Sequence, residues 1–374
     1  MAGEDSEFVI VGGGLLGLAT ADALTRRGRQ ATVLEQAAAG HPGAGSKGSC
    51  RIFRLGYPDP GYVALAQQAR EFWTELEQAR RVQLLTPAPQ LTFGPELDAV
   101  HQAMLAAGAR CELLPAAEAG RRFPAVSVPG AVLHEPESSV INASAAIESL
   151  AGALPDLREH TRVTGIRDDG RQVTVSTDEG LLACRAVIVT AGPWTAGLLG
   201  PAGISLPAAA TQEQAGYLDL PGAVLPAPAV RADLPILLEY SAGYAYYGLP
   251  VPGAPLYKTG LHHGGPVTDP DQQDQDPDLA LARELAGFNR RHLPGLPASP
   301  AGYERCIYDN TPDEDFIVGR IGNVVIGSGT SGHGFKFGPL LGDWLAALAT
   351  GEPAAPATRH ERLAARFSPH RFTG

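Results

Sequence analysis

The chain has 374 residues, 44% of them hydrophobic and 18% charged, which is too much for one core, since single cores stop growing near ~250–300 residues. With 29 basic against 40 acidic residues the net charge is −11, so no electrostatic footprint for nucleic acid or an anionic membrane is present. The 45 glycines and 32 prolines lie far above the usual combined share of ~12%, beside an ordinary apolar content, and describe a loop-rich folded protein of two domains.

The first apolar run, Phe8 to Val11, ends in three glycines and is followed by LLGLATADALTRRG, whose leucines and alanines recur at helical spacing until Gly28. ATVLE then reads as a second buried strand, so the protein opens on a βαβ unit. A Gly-rich loop runs from Pro42 to Gly48, and helical spacing resumes from Tyr62 to Ala79. A further helix starts after Asn142, an N-cap residue type. From Arg162 the chain reads as a meander with turns at Asp169-Gly170 and Glu179-Gly180, ending in an all-apolar strand at Ala186 to Val189. Residues 201 to 260, rich in Pro and aromatics, read as a separate antiparallel sheet, and Asp278 to His292 as a helix. The last section is strand NVVIG, a glycine turn and helix GPLLGDWLAALATG. The fold class expected is α/β, with the first and last segments sharing one Rossmann-like domain and the middle inserting a second.

Several classes of chemistry fall away. Cys50, Cys111, Cys184 and Cys306 are widely spaced, which suits a reducing cytoplasm better than a zinc site or a disulfide framework. The early onset of the first strand predicts that no signal peptide precedes it, and no run of 18 apolar residues long enough to span a membrane occurs. GAGSKGS has its lysine in the wrong place for a Walker loop, Ser331 lacks the glycine of a nucleophile elbow, and adjacent His262 and His263 are badly spaced for one metal.

What remains is Gly12-x-Gly14-x-x-Gly17 after a strand and before a helix, with Glu35 closing the next strand. Small residues there let the backbone approach a pyrophosphate, the helix N-terminus meets its charge, and the carboxylate takes ribose hydroxyls. The bland alternative is a tight turn. The acidic residue favours FAD or NAD over NADP, and the unit does not choose between them. The strand ending Thr190-Ala191-Gly192 resembles the second flavin-contacting strand of flavoproteins, and the stretch DFIVGRIGNVVIGSGTSGHGFKFGP resembles the segment that closes over an isoalloxazine. Both point to FAD.

GAGSKGSCRIFRLGY, FWTELE, QLTFGP, TAGPW, YYGLP, LYKTGLHHG, ERCIYDNTPDEDFIVG and SGHGFKFGP occur in this order along nearly the whole chain. In that order and spacing the sequence resembles the monomeric sarcosine oxidase and N-methyltryptophan oxidase family, of the D-amino-acid oxidase type. The resemblance implies a discontinuous FAD domain over 1–87, 139–209 and 310–374, and a substrate domain over 88–138 and 210–309. It implies FAD tied through Cys306 to the flavin 8α carbon, Arg51 stacked beside the flavin, and Arg54 with Lys336 as a clamp for a substrate carboxylate. Lys258 falls at the position that promotes reaction with O2, and Tyr247, His262 and Tyr308 at positions lining the substrate cavity. Cofactor contacts fall on Gly12, Gly14, Leu15, Gly17, Glu35, Ser46, Lys47, Val163, Ala191, Gly192, Trp194, Gly332, His333, Gly334 and Lys336. Two departures stand next to the flavin, Lys47 for a histidine and Cys50 for a threonine, and residues 202–239 match poorly.

One count supports the assignment from the sequence itself. Of 29 basic residues only Lys47, Lys258 and Lys336 are lysines, and two of the three fall at the catalytic positions. The activity implied is oxidation of an N-methyl or other secondary amino acid to an imine, with O2 reduced to H2O2, by a cytoplasmic monomer. An oxidase of a cyclic, pipecolate-like imino acid or of a biosynthetic intermediate, an FAD subunit of a dehydrogenase assembly, and a non-enzymatic sensor are the alternatives.

Overall fold

The computed structural model describes residues 4–221, 230–231, 233–241, 244–354, 363 and 365–372. Part of the poorly matching stretch, residues 222–229 and 232, lies outside the described residues, as do 355–362 near the end of the C-terminal segment.

The strand Glu4–Val11 lies at the centre of the first sheet, parallel on one side to Ala31–Leu34 and on the other to Leu181–Val189. Its side chains alternate between two cores. Phe8 and Ile10 pack under the helices Leu15–Arg26 and Gly338–Thr350, while Val9 and Val11 pack with Val187, Val189 and Ile326 on the opposite face. A strand buried on both faces has no polar side to show, which is why FVIV reads as a continuous apolar run.

The apolar strand expected at Ala186 to Val189 is the second half of a nine-residue strand, Leu181–Val189. Its first half closes the meander, pairing antiparallel with Val173–Thr177; its second half joins the C-terminal strand Val324–Ser328 in parallel. The change of partner along one strand is what brings residues distant in sequence to one edge. Helix Pro60–Arg80 begins two residues before the expected start, because Asp59 accepts from Gly61 N at 2.6 Å and Pro60 fits the first turn. Asn142 caps Ala143–Ala151 through Ala145 N, as its residue type suggested.

The second sheet runs in the order Gly302–Asn310, Ala209–Asp219, Leu256–His262, Tyr244–Pro250, Ile236–Ser241, Gln90–Phe93, Val132–Glu135, Glu112–Leu114. It is neither confined to residues 201–260 nor wholly antiparallel. Ile236–Ser241 and Gln90–Phe93 pair in parallel, which the long connection between them permits and a hairpin would not. A small third sheet joins Cys50–Phe53, Ser139–Asn142 and Leu85–Pro87. Among the described residues no helix is long and apolar enough to cross a membrane, and no cluster of ligating side chains suits a metal ion.

Candidate active site

A cavity of about 1000 Å³ extends from the glycine turn of the first sheet to one face of the second. At its first end, Gly12 holds φ +105°, and a Cβ there would stand 2.5 Å from Thr190 O. Gly17 does not line the cavity; a Cβ on it would meet Gly12 O at 1.9 Å, so its part is to let helix Leu15–Arg26 press on the turn. The helix has no acidic residue in its first turn, and Leu15 N donates to Ser46 Oγ at 3.0 Å. Glu35 accepts from Gly13 N at 2.8 Å and Ala37 N at 3.0 Å, and lines the cavity with Gly12, Gly14, Leu15 and Ser46. Val163, Ala191, Gly192 and Trp194 line it further along, with Trp194 Nε1 fixed by Asp271 at 2.8 Å. A backbone that collides with any side chain, an open helix N-terminus and a held carboxylate suit the pyrophosphate and ribose of a dinucleotide.

The other end is built on strand alternation. Glu304, Cys306 and Tyr308, at alternate positions of Gly302–Asn310, line the cavity, while Arg305 and Ile307 between them are buried. Lys258 and His262 project likewise from Leu256–His262, and Tyr247 from the neighbouring strand. Burial pushes the Cys306 thiol up, partly offset by Lys258 and Arg51, and the thiol is free. His262, lowered by burial and by His263, is a neutral imidazole whose Nδ1 lies 3.4 Å from the Tyr308 phenol. Burial likewise raises the phenols of Tyr247 and Tyr308, which stay neutral.

The third wall gathers cations. Arg51, on Cys50–Phe53, donates to the carbonyls of Cys50, Gly45 and Lys47 and lies over the Phe335 ring. Arg54 is buried, donates to Gly56 O, and stacks 3.9 Å from the centroid of Tyr57. Lys336 Nζ donates to the Tyr57 phenol and to His333 O, both at 2.9 Å. Among the described residues none of Arg51, Arg54 and Lys336 forms an ion pair. Burial, then Arg54, holds the Lys336 ammonium well below the ordinary lysine range. Gly332, His333 and Gly334 line the same wall, and His333, neutral through burial and Lys336, puts Nδ1 3.2 Å from the Tyr57 phenol.

Two expected cofactor contacts do not line the cavity, Gly17 under the turn and Lys47. Lys47 does not line the main cavity; Gly48, at φ +90°, turns the loop so that Lys47 faces an adjoining hollow with Gly48, Tyr303, Glu304 and Arg305. Three site residues escaped the sequence reading. Tyr57 sits three positions beyond Arg54 and links it to Lys336. Glu135, buried, accepts from Gly56 N at 2.9 Å and fixes the turn after Arg54. Glu304 stands two residues before Cys306, a spacing that on a strand puts both on one face.

A dinucleotide-binding sheet continuous with an aromatic, cationic chamber under a second sheet defines an oxidoreductase that works through a bound nucleotide cofactor. The sequence matches the family described as DAO, FAD dependent oxidoreductase, over residues 7–348, and the chain belongs to that family. It is 33% identical to the peroxisomal sarcosine oxidase of Mus musculus, 90% of each chain being covered, and 28% identical to the N-methyl-L-tryptophan oxidase of Yersinia pestis, over 94% of this chain and 96% of that one. Monomeric sarcosine oxidase of a Bacillus species is 28% identical, with 92% of each chain covered. Among solved structures, NikD, an unusual amino acid oxidase essential for nikkomycin biosynthesis, superposes with a TM-score of 0.83 at 25% identity over 98% of both chains.

Proposed function

We propose that the chain is an FAD-dependent oxidase of N-methyl or other secondary amino acids, yielding an imine that water splits to aldehyde and amine, with O2 reduced to H2O2. The observation that carries this reading is the pair of buried basic residues, Arg54 and Lys336, which face the cavity and, among the described residues, form no ion pair with a carboxylate of the protein. A substrate carboxylate supplies the missing charge, each charge-assisted hydrogen bond contributing about 1.5–3 kcal/mol. The sarcosine and N-methyl-L-tryptophan oxidases among the relatives support the same substrate class.

FAD, when bound, supplies the electron acceptor. The side chains do the rest. Arg54 and Lys336 fix one end of the amino acid, so the nitrogen and its C–H are presented at a constant place. Tyr247, Tyr308 and the neutral His262 wall that place and exclude water. Lys258 is a cation on the sheet wall, suited to stabilising the negative charge that develops as O2 is reduced. Cys306 is the anchor for a thioether to the flavin 8α carbon, supported by its free thiol on the cavity wall.

In this reading residues 1–87, 139–209 and 310–374 serve the cofactor and 88–138 and 210–309 the substrate, in a monomer of the cytoplasm. A panel of N-methyl amino acids, cyclic imino acids and carboxyl-free methylamines, followed by peroxide detection, tests the function. Peroxide is expected with members of the first two groups and not with the third; equal response to the carboxyl-free amines overturns the reading.

A further inference from the structure

Lys258 does not stand alone on the sheet wall. Its Nζ lies 3.3 Å from Glu304 Oε2, and the same oxygen accepts from the Tyr217 phenol at 2.5 Å. The register explains the meeting: Tyr217 is opposite Lys258 across one strand pair, and its strand also pairs with the one carrying Glu304. Lys258 is almost wholly buried, with a side-chain exposure of 7%, whereas Glu304 retains 22%. Glu304 has two sides. It lines the main cavity and also the adjoining hollow of about 380 Å³, where Lys47 faces it. The groups that act on Lys258 are Arg51 and Lys47, both repelling, and Glu304, Cys50, Tyr217, Tyr247 and Cys306, of which only Glu304 is a carboxylic acid.

This one carboxylate pairs with Lys258 and also acts through its charge on Arg51 and Lys47. We propose that Glu304 is a positioning residue, the fixed counter-ion that keeps the Lys258 ammonium charged and aimed into the main cavity, in contact with bulk water through the second hollow. This rests on the reading that Lys258 assists the reduction of O2. The directions of titration agree with the geometry. Burial and Arg51 push Lys258 down, yet with Glu304 beside it the ammonium ends above the ordinary lysine range. Glu304 ends below the ordinary range for its carboxyl although burial opposes this, chiefly through Lys258. Without Glu304 the nearest acid opposing burial and the two neighbouring cations is gone, and Lys258 loses its proton at lower pH.

The test uses the FAD-loaded protein, reduced anaerobically by substrate and mixed with O2 from about pH 6 to about pH 10. The natural chain is expected to reoxidise at a rate independent of pH. Glu304→Gln is expected to slow as pH rises, about tenfold per unit above its midpoint, as the charged fraction of Lys258 falls. Glu304→Asp, with a carboxylate one carbon shorter, is expected to move that falling limb to higher pH. A readout without turnover is the absorbance of the resting protein's flavin, which is expected to titrate with the same midpoint in Glu304→Gln and stay constant in the natural chain. A pH-independent Glu304→Gln with natural rate and spectrum overturns the proposal, as does equal loss of substrate reduction and reoxidation. Should Glu304→Gln fail to hold FAD, the Glu304→Asp profile decides: a falling limb at high pH that the natural chain lacks sustains the proposal, and a flat profile or a uniform loss at every pH overturns it. Lys258→Met separates the two levels. Natural reoxidation in that variant removes the role of Lys258 itself, whereas slow reoxidation beside an indifferent Glu304→Gln removes only the counter-ion.

Discussion

The phenol of Tyr57 accepts a hydrogen bond from Lys336 Nζ at 2.9 Å while its ring faces the guanidinium of Arg54 at 3.9 Å, so one aromatic side chain spaces two buried cations that have no acid between them. Lys336 reaches this point from a 3-10 turn, Phe335–Phe337, and Arg54 from the end of Cys50–Phe53. The chamber is assembled from segments far apart in sequence.

If those cations bind a substrate carboxylate, Arg54→Met and Lys336→Met each lose about 1.5–3 kcal/mol of binding, or about ten- to 150-fold in affinity for a carboxylate inhibitor. Flavin-absorbance titration with the inhibitor measures it. Tyr57→Phe, which removes only the hydroxyl that orients Lys336, is expected to fall between them and the natural chain.

The depressed Lys336 gives a pH dependence of defined sign. Its folded-state value lies well below the unfolded one, because burial and then Arg54 disfavour the charge. Between those two values the unfolded chain binds more protons, so this group makes the ligand-free protein more stable as pH rises through the window. A bound carboxylate restores the proton. Inhibitor binding is therefore accompanied by proton uptake and weakens with rising pH, which calorimetry in buffers of different ionisation enthalpy detects directly.

Lys258→Met is expected to leave anaerobic reduction by substrate close to the natural rate and to slow reoxidation by about 10²-fold, the usual cost of deleting one preorganised charge partner. Stopped-flow measurement of the two half-reactions resolves them; equal losses would assign Lys258 to substrate binding.

Cys306→Ser is expected to bind FAD and release it on acid denaturation, whereas the natural chain keeps flavin fluorescence on the polypeptide. Cys50→Ser, removing the other cysteine on the cavity wall, is expected to behave like the natural chain.

At the opposite end of the cavity, Gly17→Ala drives a methyl into Gly12 O and is expected to cost about 1–3 kcal/mol of stability together with retention of FAD, as read by thermal denaturation and flavin content.

The two ends of the cavity differ in how far the sequence discloses them. The glycine turn is local: backbone geometry at Gly12 and close approach at Gly17 tolerate no other residue, and a strand, turn and helix within thirty positions carry the whole signal. Cys306 and Tyr308 enter through the family resemblance, and alternation on one strand then puts both on the cavity wall. Glu304 obeys the same alternation, yet a charged residue two places before a cysteine reads as a solvated edge until Lys258 is brought across from another strand. Tyr57 is silent for the same reason, since its partners Lys336 and His333 come from the far end of the chain. Lys47 misleads in the other direction: the left-handed backbone of Gly48 turns it out of the cavity that its neighbours line. The parallel pairing of Ile236–Ser241 with Gln90–Phe93 depends on a long-range crossing that no local pattern encodes.

The most direct measurement is the flavin absorbance of the FAD-loaded protein, without oxygen, on addition of an N-methyl amino acid and, separately, of the same amine lacking its carboxylate. Rapid bleaching with the first, lost in Arg54→Met, and little or none with the second is the predicted result. Equal bleaching by both compounds, or a yellow colour unchanged by any amino acid, would contradict the account.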